Sequence, residues 1–132
     1  MQAAILSAKF DFLDAWNQKR VKHAQRYMEL LKHCDKIQLP QLNQVSSHVY
    51  NQFVIQSNLR DDLYESLYSQ GIQAGIQFPL AMHQQPVYRN MPKVSLPNSE
   101  QLSAKCISLP VHAQLDPGDV DTVAQAVLDF FN

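Results

Sequence analysis

The longest uninterrupted pattern in the chain is its N-terminal segment. Neither Gly nor Pro occurs from Gln2 to His33, and polar residues recur three or four positions apart, which predicts one long amphipathic helix. At 1.5 Å per residue, about 30 residues extend about 45 Å, whereas a compact domain of this length has a diameter of roughly 36 Å. We therefore expect part of the helix to project beyond the rest of the fold.

The projecting helix carries an apolar surface that usually marks an interface. Asn17 and Arg20 interrupt its a/d-like seam, so a sustained coiled coil is not indicated. We expect the surface to bind either a second copy of the chain, forming a homodimer, or another protein. The predicted interface residues are Ile5, Phe10, Leu13 and Trp16. Residues 1–35 are interpreted as this interface helix, and 36–132 as a separate small domain.

The remainder of the chain alternates between strand-like and helix-like segments. This order predicts an α/β (α+β) fold, a two-layer sandwich in which a small sheet of about three strands packs against helices. The long segment between Pro79 and Asn98 contains four prolines and is expected to be a loop. The predicted strands are His48–Gln56, Ile72–Phe78 and Ile107–Leu109; the predicted helices begin after the N-caps Asn58, Ser99 and Asp116.

Composition excludes several classes of function. The chain is 45% hydrophobic and 17% charged, so its 132 residues can bury a core. Because the formal net charge is -1 and like charges do not cluster, nucleic acid is not an expected partner. No apolar run approaches the roughly 20 residues that cross a bilayer, and no signal peptide is evident. We therefore expect no membrane association and a cytoplasmic location.

Metal and disulfide chemistry has no support in the spacing of potential ligands. The five histidines form neither an HExxH motif nor an i,i+4 pair, and they do not group with cysteines. Cys34 and Cys106 are too few for a disulfide framework. We expect no metal site and two free thiols.

Four segments, in order and spacing, resemble one known family. They are His48–Ile55 (HVYNQFVI), Arg60–Leu67 (RDDLYESL), Gly71–Tyr88 (GIQAGIQFPLAMHQQPVY) and Ile107–His112 (ISLPVH). The chain is similar to the C-terminal small domain of the DegT/StrS family of pyridoxal-phosphate (PLP) sugar-nucleotide aminotransferases. The segment from Gln2 to Leu31 resembles the helix that links the family's large and small domains.

The resemblance implies that the catalytic lysine lies outside this chain. In the family, that lysine and PLP belong to a large N-terminal domain that the chain lacks, and the helix here starts without a capping residue, as if cut from something longer. No catalytic or cofactor-binding residue is therefore assigned. The chain is expected to hold no cofactor, with PLP present only if a separate large domain supplies it.

The resemblance also nominates residues for substrate binding. In the family, the loop equivalent to Phe78–His83 lies near the mouth of the active site. We expect contacts to a sugar nucleotide from His83, Tyr88, Gln77 and His48. The sequence departs from the family pattern at Ala74, Gln77, Phe78 and Ala81, where the family usually has Thr, His, Tyr and Pro. The changes at Ala74, Gln77 and Phe78 remove a hydroxyl, an imidazole and a phenol that can hydrogen-bond a sugar.

Two functional hypotheses follow, together with a third possibility. In the leading one, the chain is a stand-alone remnant of an aminotransferase small domain that is not catalytic alone and associates with itself or another protein through its first helix. In the second, it is a subunit of a split aminotransferase that is completed by a separately encoded PLP domain. The third is a sugar-nucleotide-binding module without catalysis.

Overall fold

The fold is a mixed α/β arrangement of five helices around a small antiparallel sheet, seen in a computed structural model that describes residues 1–41 and 47–132. Two short 3-10 turns, Met82–Gln84 and Pro86–Tyr88, interrupt the segment before the fourth helix. The helices are α1 Gln2–Phe10, α2 Leu13–Leu31, α3 Arg60–Ser69, α4 Pro97–Lys105 and α5 Pro117–Phe131; the strands are β1 Ile37–Gln38, β2 Phe53–Ser57 and β3 Cys106–Leu109. The predicted fold class is confirmed.

The sheet has the order β1-β2-β3, and both pairings are antiparallel. In the central strand β2, Phe53 lies opposite Leu109 of β3 and Ile55 lies opposite Ile107. The side chains that face the core therefore lie directly across from one another. Burial alternates along β2, with Phe53, Ile55 and Ser57 buried. This period of two matches a strand that is covered on one face.

Two of the three predicted strands needed correction. Within Ile72–Phe78, only Gly75 pairs with the sheet, through two backbone hydrogen bonds of 2.8 and 2.9 Å with Ser108. The preceding Ala74 amide bonds to the Ile72 carbonyl in a tight turn, which interrupts the strand. The strand expected over His48–Gln56 begins only at Phe53. The third strand of the sheet is instead β1, which lies in a stretch where we predicted no strand.

The N-terminal helix divides into two segments. Asp11 and Phe12 separate α1 from α2, and the Phe12 amide donates to the Lys9 carbonyl at 3.1 Å in a tighter i to i−3 turn. No residue of α1 is buried. In α2 the buried residues begin only at His23. The projecting part is therefore α1 with the first half of α2, while the boundary at residue 35 stays a prediction.

The core is one cluster shared by α2, α3, α5 and the sheet. Tyr27 of α2 is completely buried and stacks on Phe53 with ring centroids 5.0 Å apart. Its Oη donates a hydrogen bond of 2.9 Å to the Pro110 carbonyl. Burial raises the pKa of Tyr27, so its hydroxyl stays a neutral donor at all ordinary pH values. The largest fully buried side chains are Tyr27, Phe53, Leu31, Ile55, Leu63, Leu67, Ile107, Val120 and Val127.

Local signals set several helix ends. Asp116 forms the predicted N-cap of α5, completed by a reciprocal bond of 2.8 Å from its amide to Asp119 Oδ2. Gly71, at φ +77°, ends α3, and the Ile72 amide returns to the Leu67 carbonyl at 3.0 Å, which is a Schellman motif. By contrast, α3 and α4 start without the side-chain caps that we predicted at Asn58 and Ser99.

Replacement of Tyr27 by Phe tests the link between α2 and the segment after β3. Tyr27→Phe should lower the free energy of unfolding by about 1 kcal/mol, because the Pro110 carbonyl loses its donor while the ring stack is retained. Urea unfolding followed by circular dichroism measures the change. Tyr64→Phe is the matched control, since the Tyr64 hydroxyl has no hydrogen-bond partner among the described residues, and it should change stability by less than about 0.5 kcal/mol. Equal losses in the two variants would contradict the assignment.

Candidate functional site

The segment from Phe78 to Leu96, called here the 78–96 loop, exposes an unusual amount of apolar surface. Phe78 and Val87 are each about three-quarters exposed, at 75% and 76%. With the start of α4, the loop surrounds an open cavity of about 990 Å³ whose lining is mainly apolar. This volume lies within the range of small-molecule sites. The polar lining residues include His83, Gln85, Tyr88, Arg89, Lys93 and Glu100.

His83 is held against the first turn of α4. Its Nε2 lies 3.0 Å from Glu100 Oε1, and its side chain is largely buried. The same Glu100 oxygen accepts the Leu96 amide at 2.9 Å. The bond from Leu96, and after it the bond from His83, lowers the pKa of Glu100. Glu100 is thus ionised at neutral pH and accepts both bonds.

The four residues predicted to bind substrate do not all meet. His83 and Tyr88 line the same cavity, whereas Gln77 and His48 are absent from its lining. Gln77 is exposed just before the 78–96 loop. His48 lies before β2, where its ring packs against Tyr50 with centroids 4.4 Å apart. Substrate binding by these residues stays a prediction, and the structure supports a shared site for only two of them.

His48 instead organises a strained turn. Tyr50 has φ +49°, a conformation that is uncommon for a residue with a side chain. Its amide donates to His48 Nδ1 at 2.8 Å. The Tyr50 ring is buried, which raises the pKa of its hydroxyl. His48 therefore supports the backbone at Tyr50 through Nδ1.

The predicted interface residues lie on the projecting part of the N-terminal helices. Phe10 is 71% exposed, and Ile5 and Leu13 are also exposed. Trp16 is half-buried, and its ring stacks on Phe12 with centroids 5.7 Å apart. We define the N-terminal apolar face as Ile5, Leu6, Phe10, Phe12, Leu13 and Trp16. No side chain elsewhere in the described part of the chain buries α1.

The described residues do not form a PLP site. A Schiff-base lysine must be desolvated or lie beside another cation to react at neutral pH. Six of the seven lysines are exposed, and the seventh, Lys105, is half-buried at the end of α4. The exposed lysines of this chain therefore do not fit the cofactor.

The potential metal ligands and the thiols of the described residues are dispersed. Within 1–41 and 47–132, no three His, Cys, Asp or Glu side chains converge on a point that could hold a metal ion. Cys34 and Cys106 are free, and burial raises the pKa of Cys106. None of the helices described combines the length and the apolar character that a bilayer crossing requires.

Sequence reasoning missed two residues that shape this region. Glu100 bonds to both His83 and Leu96 of the 78–96 loop. In the sequence, it was recognisable only as an acidic residue in the first turn of a helix. Arg60 is buried, and its Nη1 donates to the Ser103 carbonyl at 2.9 Å, which ties α3 to α4. Arg60 Nε lies 2.7 Å from Asp61 Oδ1 as an ion pair, without the geometry of a hydrogen bond.

Comparison with known proteins decides the family. The sequence profile of the DegT/DnrJ/EryC1/StrS aminotransferase family matches residues 1–128. The chain belongs to this family. It is 35% identical over 135 residues to a pleiotropic regulatory protein of Geobacillus stearothermophilus, covering 99% of this chain and 36% of the relative. It is also 35% identical to dTDP-3-amino-3,6-dideoxy-alpha-D-galactopyranose transaminase of Aneurinibacillus thermoaerophilus, covering 96% of this chain and 35% of that enzyme.

The fold agrees with solved structures of family members. The crystal structure of S. venezuelae DesV in complex with a ketimine intermediate superposes with a TM-score of 0.92 at 30% identity, covering 98% of this chain and 36% of DesV. An aminotransferase of the family from Brucella abortus gives a TM-score of 0.86 at 32% identity, with 98% and 35% covered. The chain thus spans about a third of the length of the relatives that it matches.

Substitution of His48 tests whether its imidazole supports the turn at Tyr50. His48→Ala should lower the free energy of unfolding by about 1 kcal/mol and speed exchange of the Tyr50 amide proton, because that amide loses its acceptor. His48→Asn should retain most of the stability, since an Asn side chain accepts from the amide two residues on. Urea unfolding and hydrogen exchange by NMR measure both. The exposed His33, changed to Ala, is the control; an Asn variant no better than Ala would refute the acceptor role.

Proposed function

We propose that these residues act as the small domain of a sugar-nucleotide aminotransferase and are not catalytic alone. Catalysis would require a PLP domain that carries the Schiff-base lysine, in the same polypeptide or in a separate one. The family membership, the solvent-exposed lysines and the share of each relative that is matched support this proposal. In this arrangement the chain contributes substrate contacts and a docking surface rather than reacting groups. A biosynthetic role of this kind fits a cytoplasmic location.

The observation that carries the proposal is the apolar surface left open in two places. The N-terminal apolar face and the 78–96 loop both expose side chains that a monomer normally buries. A second protein surface is the occupant that fits, because the aligned relatives are nearly three times as long and so provide a further domain to cover such surface. When no PLP domain is supplied, we expect the N-terminal apolar face to pair two copies of the chain.

The cavity of the 78–96 loop fits the substrate class that the names of the relatives suggest. Arg89 and Lys93 line it, and neither has an acidic partner within the described residues. Two cations beside an apolar lining suit a nucleotide diphosphate, with His83 and Tyr88 available for the sugar. This supports the aminotransferase domain over a purely structural remnant. A binding module without catalysis would use the same cavity.

A cofactor-trapping experiment separates a dependent domain from a self-sufficient enzyme. Purified chain incubated with PLP and then dialysed should show no stoichiometric internal-aldimine absorbance, and borohydride should fix no pyridoxyl group to a single lysine. The physical reason is that solvated lysines form only adventitious imines. A DegT/StrS aminotransferase of full length, treated identically, provides the positive control. One stoichiometrically labelled lysine, identified by mass spectrometry, would overturn the proposal.

The docking role predicts an effect of charge on the N-terminal apolar face. Light scattering at tens of micromolar should report a dimer, and Leu6→Asp combined with Phe10→Asp should weaken it at least about 100-fold. Burying each such side chain contributes about 1.5–3 kcal/mol, and each 1.4 kcal/mol is tenfold in affinity. Tyr68→Asp, which changes a comparably exposed aromatic on α3, is the control and should leave the dimer intact. A monomeric parent chain, or a dimer indifferent to the double substitution, would exclude this interface.

A further inference from the structure

One carboxylate oxygen links two distant positions of the 78–96 loop, His83 and Leu96. Glu100 Oε1 accepts hydrogen bonds from His83 Nε2 at 3.0 Å and from the Leu96 amide at 2.9 Å. These two donors stand 13 positions apart along the chain, while Glu100 itself is fixed in the first turn of α4. The cavity-lining residues Tyr88, Arg89 and Lys93 lie between them. The carboxylate therefore holds His83 and Leu96, the two ends of this part of the loop, close together.

The same contact selects the tautomer of the neutral imidazole. A carboxylate only accepts hydrogen bonds, so His83 Nε2 must carry the proton that joins it to Glu100. In a neutral imidazole the other nitrogen, Nδ1, then has a free lone pair. The neutral form of His83, which lines the cavity, thus has Nδ1 as its acceptor.

We propose that Glu100 is a positioning residue of the cavity: it holds residues 83 and 96 together and fixes His83 in the tautomer that offers Nδ1 as an acceptor. A ligand group that donates a hydrogen bond, such as a sugar hydroxyl, pairs with this nitrogen. Phosphate oxygens carry no proton to donate at neutral pH, and they pair with Arg89 and Lys93 instead. The ligand assignment rests on the proposed function, whereas the clamp by Glu100 does not.

The imidazole resonances of His83 report the clamp directly. In chain labelled with ¹⁵N-histidine, the Nε2 proton of His83 should be visible at neutral pH, because its hydrogen bond slows exchange with water. Glu100→Ala should abolish this resonance and speed exchange of the Leu96 amide at least about tenfold, the loss of one bond of about 1.4 kcal/mol. Glu100→Gln should restore both, since its amide oxygen accepts in the same place.

Two further variants separate the clamp from a general effect on folding. Glu65→Ala removes an exposed glutamate from α3 that has no partner within the described residues, and it should leave both signals unchanged. Glu100→Asp keeps the charge at the start of α4 but shortens the reach, so it should lose the Nε2 proton while retaining native circular dichroism. An Nε2 signal that survives in folded Glu100→Ala or Glu100→Asp, or one absent from the parent chain, would overturn the proposal.

A titration tests the ligand assignment separately. UDP-N-acetylglucosamine should shift the His83 Nδ1 resonance, and UDP, which has no sugar on its diphosphate, should not. Equal shifts with both probes would refute the pairing of Nδ1 with a sugar hydroxyl. No shift with either probe would count against the proposed sugar-binding role, while the clamp would still be judged by the Nε2 proton alone.

Discussion

The packing of Tyr27 is the contact on which the rest of the domain depends. This side chain joins three parts of the chain that are distant in sequence: α2, the central strand β2 through Phe53, and the segment after β3 through the Pro110 carbonyl. Its hydroxyl satisfies that carbonyl while its ring fills the core. The surface ion pair of Arg26 and Asp121 also joins α2 to α5, but exposed pairs of this kind contribute little.

Features with a local cause could be predicted from the sequence, and features with a distant cause could not. Asp116 caps α5 because the acceptor and its amide donors lie within four residues, and Gly71 ends α3 because its own backbone takes a positive φ. In contrast, β1 has only two residues and no periodicity of its own, since its strand conformation comes from pairing with Ser57 and Gln56. Ile72–Phe78 has strand-forming residues but finds a partner only at Gly75.

The candidate site follows the same division. The family motif placed His83 and Tyr88 correctly in one loop, and they do share a cavity. The role of Glu100 was not predictable, because a contact across 17 residues depends on how the loop folds back onto α4. His48 was expected in a strand, yet the positive φ of Tyr50 turns the chain there. A break at Asp11 and Phe12 also lacked a signal, because neither residue disrupts a helix.

The residues that stabilise the fold differ from those that could react. Its structural contacts, including the Arg60 bond to α4 and the clamp by Glu100, maintain the shape of the domain and of the 78–96 loop. Six of its seven lysines are exposed, and His48 and His83 already take part in structural hydrogen bonds. This arrangement agrees with the proposal that another component supplies the reacting atoms, while the chain contributes apolar surface and hydrogen-bond acceptors. The proposed dependence on protein contact accounts both for the apolar exposure and for lysines that do not fit a Schiff base.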